Sequence, residues 1–505
     1  MLDDWKTSLA AYLKFLVLGG AAAFILLYLI LALLRISYPY ELEWMEGSMV
    51  DHVQRILDGK SLYVAPSLDF VPFAYPPLYF QLCAALAHVT GPGFLPLRLL
   101  SLMASLGVFA LLILLVRRET GKWSYGLLAA GVFAATYRAC GAWLDVGRVD
   151  SLLVLLLLAA AYVLRSQEGR RGTVVSGVLL ALAVLTKQTA LFVAVPLLLF
   201  VGLVQRERLL WMLLPFLAVA GGVVLTLTVS TDGWFWYYTY VQPSHHAVWL
   251  HLVPYVLAHD LLATMGIAAI AAVLWFCASP GRPRLFYGLF TLGMTLATLA
   301  PRLKAGGYEN NLIPLYAVLS ILLGLAAARW AERSRGAKTI VYAACLGQLL
   351  LLLYNPARCI PTENDRLDGQ RLIRQMAAFP GEILLFSHGY LPTLAGKHST
   401  ASSIAISDLL CGGETRAQAQ MLSDFRNALQ NHRYSAIILD DDDPLGWKEI
   451  ALSRYYSKTG PMMDSSRVFW PVSGYPTRPE WIYQPREDSL LLPMLEGAVS
   501  SAHGI

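Results

Sequence analysis

The chain has 505 residues, of which 56% are hydrophobic and only 14% are charged, and its mean hydropathy is +0.53. These values exclude an ordinary soluble protein and are typical of a chain that crosses a membrane many times. The net charge of +5 is small, and the Lys and Arg residues lie at the ends of apolar runs. We therefore expect the lipid bilayer, and no nucleic acid, as a partner.

Apolar runs of spanning length recur along the first two thirds of the chain. A membrane-spanning helix needs about 17–25 mainly apolar residues. About eleven spans are predicted, near residues 10–34, 94–116, 124–140, 149–165, 173–187, 189–205, 209–230, 261–278, 285–301, 311–329 and 338–354. The fold class that follows is a polytopic α-helical membrane protein.

Basic residues fall on alternate connections between the predicted spans. They occur within 117–122, 165–171, 206–208, 282–284 and 329–338, whereas residues 230–260 contain no Lys or Arg. Because basic connections stay in the cytoplasm, we predict a multi-pass protein of the cell inner (plasma) membrane. Its N-terminus is predicted to be cytoplasmic and its C-terminal part extracytoplasmic.

The first predicted extracytoplasmic loop, residues 35–93, is acidic and aromatic. Glu41, Glu43 and Glu46 lie within six residues, where the first span ends. Carboxylates beside hydrocarbon are costly unless they face water, a partner or a substrate. The three are therefore candidate catalytic residues; the alternative is polar flanking of a span. Residues 47–57 have apolar side chains at helical spacing, which predicts an amphipathic helix on the membrane surface. Residues 78–89 predict a second interfacial helix.

The turn at residues 145–150 is predicted to lie on the same side of the membrane. It contains Asp145, Arg148 and Asp150. An acid from this turn could complete a catalytic site. The alternatives are a structural ion pair and, for Asp150, the N-terminal cap of the next helix.

Two further polar segments could bind an anion such as phosphate. Lys187 interrupts apolar sequence, where lysine either extends to the interface or meets an anion. The segment 301–311 combines Arg302 and Lys304 with Asn310 and Asn311 around a pair of glycines. Basic and amide donors on such a segment could cradle a phosphate, and an ordinary loop with basic flanks is the alternative.

The loop 230–260 is rich in aromatic residues and contains His245 and His246. An aromatic belt at the membrane interface is the default interpretation. The histidines could also bind a divalent metal together with a carboxylate. Because no spacing is diagnostic, no cofactor is assigned from the sequence.

From about residue 355 the composition becomes polar. The runs 382–386 and 435–439 are typical of buried strands, and 414–431 between them is typical of a helix. This βαβ pattern predicts a soluble extracytoplasmic α/β domain, residues 355–505, after a transmembrane domain, residues 1–354. Ligands often bind where such strands end. Ser387, His388 and Gly389 follow the first strand, and 440–443, all Asp, follow the second; a solvated turn is the alternative for these acids.

In chain order, these features resemble the GT-C glycosyltransferases, and among them the protein O-mannosyltransferase and lipid A aminoarabinose transferase group. The similar features are the acidic loop, a surface helix ending at Gly59, Tyr75-Pro-Pro-Leu, Arg148-x-Asp150, the Thr186-Lys187 break and the C-terminal domain. The resemblance covers about residues 1–354. It implies a GT-C-like transmembrane domain and a polyprenyl-phosphate-linked sugar donor.

The resemblance also implies an activity and site residues. It implies an inverting hexosyl- or pentosyltransferase that acts on a glycan, lipid or protein acceptor. The family's usual Asp-Glu pair is replaced here by Glu41-Leu-Glu43-Trp-Met-Glu46. Glu43 is our first choice as the base that activates the acceptor, ahead of Glu46. The basic residues of the two polar segments would stabilise the lipid phosphate, and Tyr63 and Tyr75 are candidate substrate-binding residues.

A flippase for lipid-linked sugars or a secondary transporter is the alternative function. Such proteins usually contain inverted repeats and polar groups near the middle of the membrane. Here the polar groups are predicted at one interface, and no repeat is visible. A third alternative is a non-catalytic assembly protein that keeps the transferase scaffold.

Overall fold

The structure is a computed structural model that describes residues 2–167, 169–411, 415–440, 452–463 and 468–486. Its first 354 residues are helical. The α-helices of this part are α1 (Leu2–Arg35), α2 (Glu46–Leu57), α3 (Leu78–Thr90), α4 (Phe94–Thr120), α5 (Trp123–Ala135), α6 (Asp150–Ser166), α7 (Arg170–Thr186), α8 (Leu191–Val204), α9 (Leu209–Phe216), α10 (Gly222–Ser230), α11 (Trp234–Trp236), α12 (Gln242–His245), α13 (Val253–Tyr255), α14 (Thr264–Ala278), α15 (Gly281–Arg302), α16 (Ile313–Ala331) and α17 (Arg335–Leu351).

Each predicted span coincides with a helix or with consecutive helical segments. Among the described residues, five helical stretches are long and apolar enough to cross a membrane: Leu9–Arg35, Phe94–Thr120, Arg206–Ser230, Leu250–Ala278 and Glu309–Ala331. A bent pair, Gly336–Leu351 with Pro356–Ala378, would make six. The chain is therefore a multi-pass membrane protein, and eleven crossings stay a prediction.

Three of the basic connections, 117–122, 165–171 and 329–338, meet at one end of the helical bundle. Arg165 donates to Glu119 over 2.8 Å, which joins the α6–α7 connection to the end of α4. Lys122 pairs with Glu332, which brings the α16–α17 connection to the same end. The distribution of positive charge predicts that this end is cytoplasmic.

The predicted interfacial helices α2 and α3 are present at the opposite end. The apolar face of α2 is covered by protein: Met49, Val50 and Val53 are buried with Tyr79 and Phe80 of α3 in one hydrophobic cluster. The prediction that α2 rests its apolar face on the membrane surface is therefore corrected. The helix is amphipathic because it packs against its neighbour in the chain.

The C-terminal part contains a small mixed sheet. Its helices and strands are α18 (Glu363–Ala378), β1 (Glu382–Leu385), α19 (Leu391–Leu394), α20 (Ser403–Leu410), α21 (Arg416–Gln430), β2 (Tyr434–Leu439), α22 (Leu452–Tyr455), β3 (Tyr456–Pro461) and β4 (Trp481–Pro485). The strand order is β1-β2-β4-β3. β1 and β2 are parallel, with Leu384 opposite Ile437, as the βαβ pattern predicts. β4 is antiparallel to both β2 and β3.

Two glycines allow the C-terminal part to touch the acidic loop, residues 35–93. A Cβ on Gly47 would lie 1.9 Å from the carbonyl oxygen of Gly389, and a Cβ on Gly389 would lie 2.6 Å from the backbone nitrogen of Ser48. Close by, the backbone N–H of Tyr390 donates to Asp51 over 3.0 Å. The segment after β1 is thereby held against the start of α2.

Candidate active site

A cavity of about 840 Å³ lies between the acidic loop, the adjacent helix ends and the C-terminal part. Eight of the predicted site residues line it: Glu43, Tyr75, Arg148, Lys187, His246, Lys304, Asn310 and Asn311. The other seven lie outside its lining: Glu41, Glu46, Tyr63, Asp145, Asp150, His245 and Arg302. The fold thus brings together side chains from segments that are far apart in sequence.

Glu43 lies on the cavity wall with one oxygen engaged and one free. Its Oε2 accepts a hydrogen bond from Arg148 Nη1 at 2.9 Å, and its Oε1 is buried without a hydrogen-bond partner. Arg148 Nη2 also donates to the Tyr75 hydroxyl at 2.9 Å. The guanidinium therefore fixes Glu43 through a single oxygen, and the other is available to a ligand.

The surroundings of Glu43 make it a weaker acid than usual. Burial raises its pKa to about 7, even though the Arg148 guanidinium favours the carboxylate. The nearby Glu46 carboxylate adds to the increase. A carboxylate with a pKa near neutrality is suited to act as a general base.

Glu46 is fully engaged in holding the loop. Its Oε1 accepts from Arg98 Nε at 2.8 Å and from the Gly147 N–H at 2.7 Å. Its Oε2 accepts from Arg98 Nη2 at 2.7 Å and from the Leu42 N–H at 2.9 Å. A buried carboxylate with four donors is well satisfied, so Glu46 ties together the loop, α4 and the 145–150 turn.

Asp145 forms a buried structural ion pair. Its Oδ2 lies 3.3 Å from Arg35 Nε at the end of α1, and its Oδ1 accepts from the Tyr137 hydroxyl at 2.8 Å. Asp145 is thus in an ion pair, but its partner is Arg35 of α1 and not the neighbouring Arg148 of the turn, which pairs with Glu43.

Asp150, Lys187, Asn310 and Asn311 form one hydrogen-bonded group. Lys187 Nζ donates to Asp150 Oδ1 at 2.8 Å and to Asn311 Oδ1 at 3.0 Å. Asn310 Nδ2 donates to Asp150 Oδ2 at 3.0 Å. Asp150 is the first residue of α6, and Val149 holds the N-cap position. The group therefore positions the Lys187 ammonium at the cavity wall.

The two basic residues of the 301–311 segment have different environments. Arg302 Nε donates to Asp260 at 2.9 Å, and its Nη1 donates to the Gly307 carbonyl at 2.8 Å, away from the cavity. Lys304 lines the cavity and donates to the Pro243 carbonyl at 2.6 Å. Lys304 can therefore meet a ligand in the cavity, whereas Arg302 shapes the loop.

The predicted tyrosine and histidine site residues have different environments. Tyr63 is buried and donates to the Tyr75 carbonyl at 2.7 Å, so it supports a residue of the wall. His246 Nε2 lies 3.4 Å from Asp408 Oδ1, whereas His245 is exposed. Within the described ranges, no group of three His, Cys, Asp or Glu side chains is arranged to hold a metal ion.

His388 connects the C-terminal part to the acidic loop. Its Nδ1 lies 2.5 Å from Glu41 Oε2, and its Nε2 lies 3.2 Å from Asp440 Oδ2. Burial opposes charge on the ring, but the Asp440 and Glu41 carboxylates raise the pKa of His388 to about 10. The other Glu41 oxygen accepts from the Gly47 N–H at 3.1 Å, so Glu41 is fully used in this junction.

Comparison with solved structures identifies the architecture. The crystal structure of ArnT from Cupriavidus metallidurans bound to undecaprenyl phosphate has a TM-score of 0.61 and 12% identity, covering 93% of this chain and 99% of that one. The chain has the GT-C fold. The apo crystal structure of the same ArnT has a TM-score of 0.58 and 14% identity, covering 92% of this chain and 97% of that one. This GT-C architecture also matches the archaeal oligosaccharyltransferase AglB from Archaeoglobus fulgidus, in complex with an inhibitory peptide and a dolichol-phosphate, at a TM-score of 0.52 and 12% identity, covering 87% of this chain and 72% of that one.

Sequence comparison agrees over part of the GT-C region. Residues 74–236 match the profile of the family described as dolichyl-phosphate-mannose-protein mannosyltransferase. That range includes Tyr75, Arg148 and Lys187 of the cavity wall. A search of curated proteins finds no match. The resemblance to GT-C glycosyltransferases that the sequence motifs indicate is thus confirmed.

Several residues of this GT-C site were not singled out as site residues from the sequence. Arg98 marks only the start of a span, yet it is the partner of Glu46. Asp408 lies in a short apolar helix with no motif around it, yet it lines the cavity. Asp440 also lines the cavity, at the end of β2 where strand-end reasoning places ligands. The neighbouring acids, 441–443, lie outside the described residues.

Proposed function

We propose that the protein is an integral membrane glycosyltransferase that moves a sugar from a polyprenyl-phosphate donor to an acceptor hydroxyl. The catalytic end of the bundle would face the extracytoplasmic side of the inner membrane, opposite the basic connections. The fold and the profile match support this activity, and the undecaprenyl phosphate and dolichol-phosphate of the similar structures support the donor class.

One observation carries the choice of base. Glu41, Glu46, Asp145 and Asp150 each have both carboxylate oxygens in hydrogen bonds or ion pairs. Among the five candidate acids, Glu43 alone has a buried oxygen without a partner, and Glu43 alone lines the cavity. A base must be within reach of the proton that it accepts, so Glu43 is the residue proposed for this role.

The proposed step is a single displacement. The acceptor oxygen forms a bond to the anomeric carbon while its proton passes to Glu43 Oε1. The bond between the anomeric carbon and the phosphate oxygen breaks, and the polyprenyl phosphate leaves with the bonding electron pair. Because one carboxylate activates the acceptor and none is proposed to attack the sugar, the step inverts the anomeric configuration.

Two lysines are proposed to bind the phosphate. Lys187 and Lys304 both line the cavity, and each ammonium has three N–H donors. Lys187 uses two of them on Asp150 and Asn311, and Lys304 uses one on Pro243. The remaining donors can stabilise the charge that develops on the leaving phosphate.

The proposal is tested by transfer of labelled sugar from polyprenyl-phosphate donors, in hexosyl and pentosyl forms, by the purified full-length protein. Glu43→Gln is expected to lower the rate by about 10²-fold or more; because it also leaves the buried Arg148 without its counter-charge, its thermal stability is measured beside the rate and the assay is run below its unfolding temperature. Glu363→Gln is the matched control, because Glu363 is an exposed acid on α18. Full activity of Glu43→Gln would show that the base is wrong, and no transfer from any lipid donor would reject the activity.

A further inference from the structure

The two sides of the cavity differ in charge. The side formed by the helical region carries the cationic groups Arg148, Lys187 and Lys304. The side formed by the C-terminal part presents hydroxyl and carboxylate groups and, among the described residues that line it, no Lys or Arg: Ser387, Ser403, Ser407, Asp408, Asp440 and Thr477. The first side therefore offers cationic N–H donors to a phosphate, and the second offers none among its described lining residues.

Helix α20 presents one face to the cavity. Ile404, Ser407 and Asp408 line the cavity from successive turns of this helix, as side chains three and four residues apart do. The Asp408 side chain is 27% exposed, and its Oδ1 lies 3.4 Å from His246 Nε2. Ser403, at the start of α20, has its hydroxyl 3.2 Å from that of Ser387 after β1. The face is therefore polar and anchored to the sheet.

Asp440 adds an unsatisfied acceptor to the same side. Its side chain is 7% exposed, and its Oδ2 accepts from the Thr477 hydroxyl and lies near His388. Its Oδ1 is buried without a hydrogen-bond partner. A buried carboxylate oxygen without a donor is costly, and a hydroxyl-bearing ligand in the cavity would supply one.

Resting on the function proposed above, we propose that the C-terminal side of the cavity is an acceptor subsite for a neutral or amino sugar. Asp408 and Asp440 accept hydrogen bonds from sugar hydroxyls, and the serine hydroxyls both donate and accept. An acceptor with a carboxylate or phosphate beside its reacting hydroxyl is disfavoured, because the unpartnered Asp440 Oδ1 needs a donor and such a group supplies only acceptors. The donor phosphate occupies the cationic side, so the two substrates are separated by charge.

The test measures binding of matched methyl glycosides to the full-length protein in detergent with saturating undecaprenyl phosphate. The ligands are methyl glucoside, methyl glucosaminide and methyl glucuronide, together with the corresponding three galacto compounds. Within each series the three glycosides share one ring configuration and differ in charge. In at least one series, the neutral and amino glycosides are expected to bind about tenfold more tightly than the uronide, by thermal-shift titration. We expect Asp408→Asn and Asp440→Asn each to weaken binding of the favoured glycoside by about tenfold. Asp408→Lys is expected to reverse the preference toward the uronide.

Asp424→Asn is the matched control, since Asp424 is on α21 with its carboxylate bonded to Gln420 at the surface. Binding of undecaprenyl phosphate is expected to be unchanged in Asp424→Asn and not to be weakened in the other variants. Three results would overturn the subsite. The wild type could bind the uronide as tightly as the other glycosides or more tightly, it could bind no glycoside at all, or Asp408→Lys could keep the wild-type preference. A wild type that fails to bind undecaprenyl phosphate counts against the proposed donor instead, whatever the glycosides do.

Discussion

Arg148 donates to one oxygen of Glu43 over 2.9 Å and leaves the other oxygen free at the cavity wall. Three residues later, Glu46 gives both of its oxygens to Arg98 and to backbone N–H groups. Two acids of the same loop therefore have different tasks. The contacts make Glu46 a structural clamp and leave Glu43 for chemistry.

The transfer rate is predicted to depend on the protonation of Glu43. Because burial raises its pKa to about 7, the rate should rise about tenfold per pH unit below pH 7 and level off above it. Asp51→Asn is the control, because burial also raises the pKa of Asp51 to about 7, but Asp51 binds the Tyr390 N–H outside the cavity lining. A rate that is constant between pH 5.5 and pH 8.5, or a rise that Asp51→Asn abolishes, would contradict the assignment.

Donor binding is predicted to need Lys304. Lys304→Gln removes a cation from the cavity wall and should weaken undecaprenyl phosphate binding by about tenfold, since hydrogen bonds to charged groups contribute about 1.5–3 kcal/mol. Added salt should reduce the difference. Lys60→Gln is the matched control, because Lys60 is an exposed lysine in the acidic loop, residues 35–93, and pairs with Asp58. Equal loss of affinity in the two variants would mean that the effect is general surface charge.

The clamp between Glu46 and Arg98 is predicted to stabilise the fold. Both side chains are buried, so Arg98→Met leaves a carboxylate without its counter-charge and should cost about 3–5 kcal/mol. Lys122→Met breaks the half-exposed pair with Glu332 and should cost no more than about 1 kcal/mol. Thermal unfolding of both variants in detergent gives the comparison. Similar losses of stability would show that the clamp is weak.

The contact between Gly47 and Gly389 is predicted to be intolerant of side chains. In Gly47→Ala the new Cβ would overlap the Gly389 carbonyl oxygen at 1.9 Å, so the C-terminal part must move away from the loop. We expect lower thermal stability together with lower transfer. Gly222→Ala in α10 meets nothing within 4 Å and should be neutral or slightly stabilising, because alanine favours helix. A Gly47→Ala variant that behaves like Gly222→Ala would mean that the two parts do not pack as described.

Local patterns account for the features that the sequence predicts correctly. The helical stretches follow from apolar runs, and β1, α21 and β2 follow from short buried runs around an amphipathic helix. The sequence patterns do not predict the strands β3 and β4. In β3 the sequence Tyr-Ser-Lys-Thr-Gly-Pro has few apolar residues, and its strand form depends on pairing with β4.

The roles within the site required tertiary structure. Lys187 and Asn310 are 123 positions apart in the sequence, and both bind Asp150 only because three helix ends meet. Spacing alone could not separate Glu43 from Glu46, because the difference is the position of Arg98 on α4. The sequence predicts that His388 lies at a strand end. It cannot predict the contact with Glu41, because the two residues are 347 positions apart.

The most direct test of the account is an experimental structure of the full-length protein with undecaprenyl phosphate bound. We predict that the phosphate lies in the cavity within hydrogen-bond distance of Lys187 or Lys304, with Glu43 Oε1 facing the space beside it. A phosphate bound outside this cavity, or a cavity in which Glu43 is turned away and another acid faces the ligand, would contradict it.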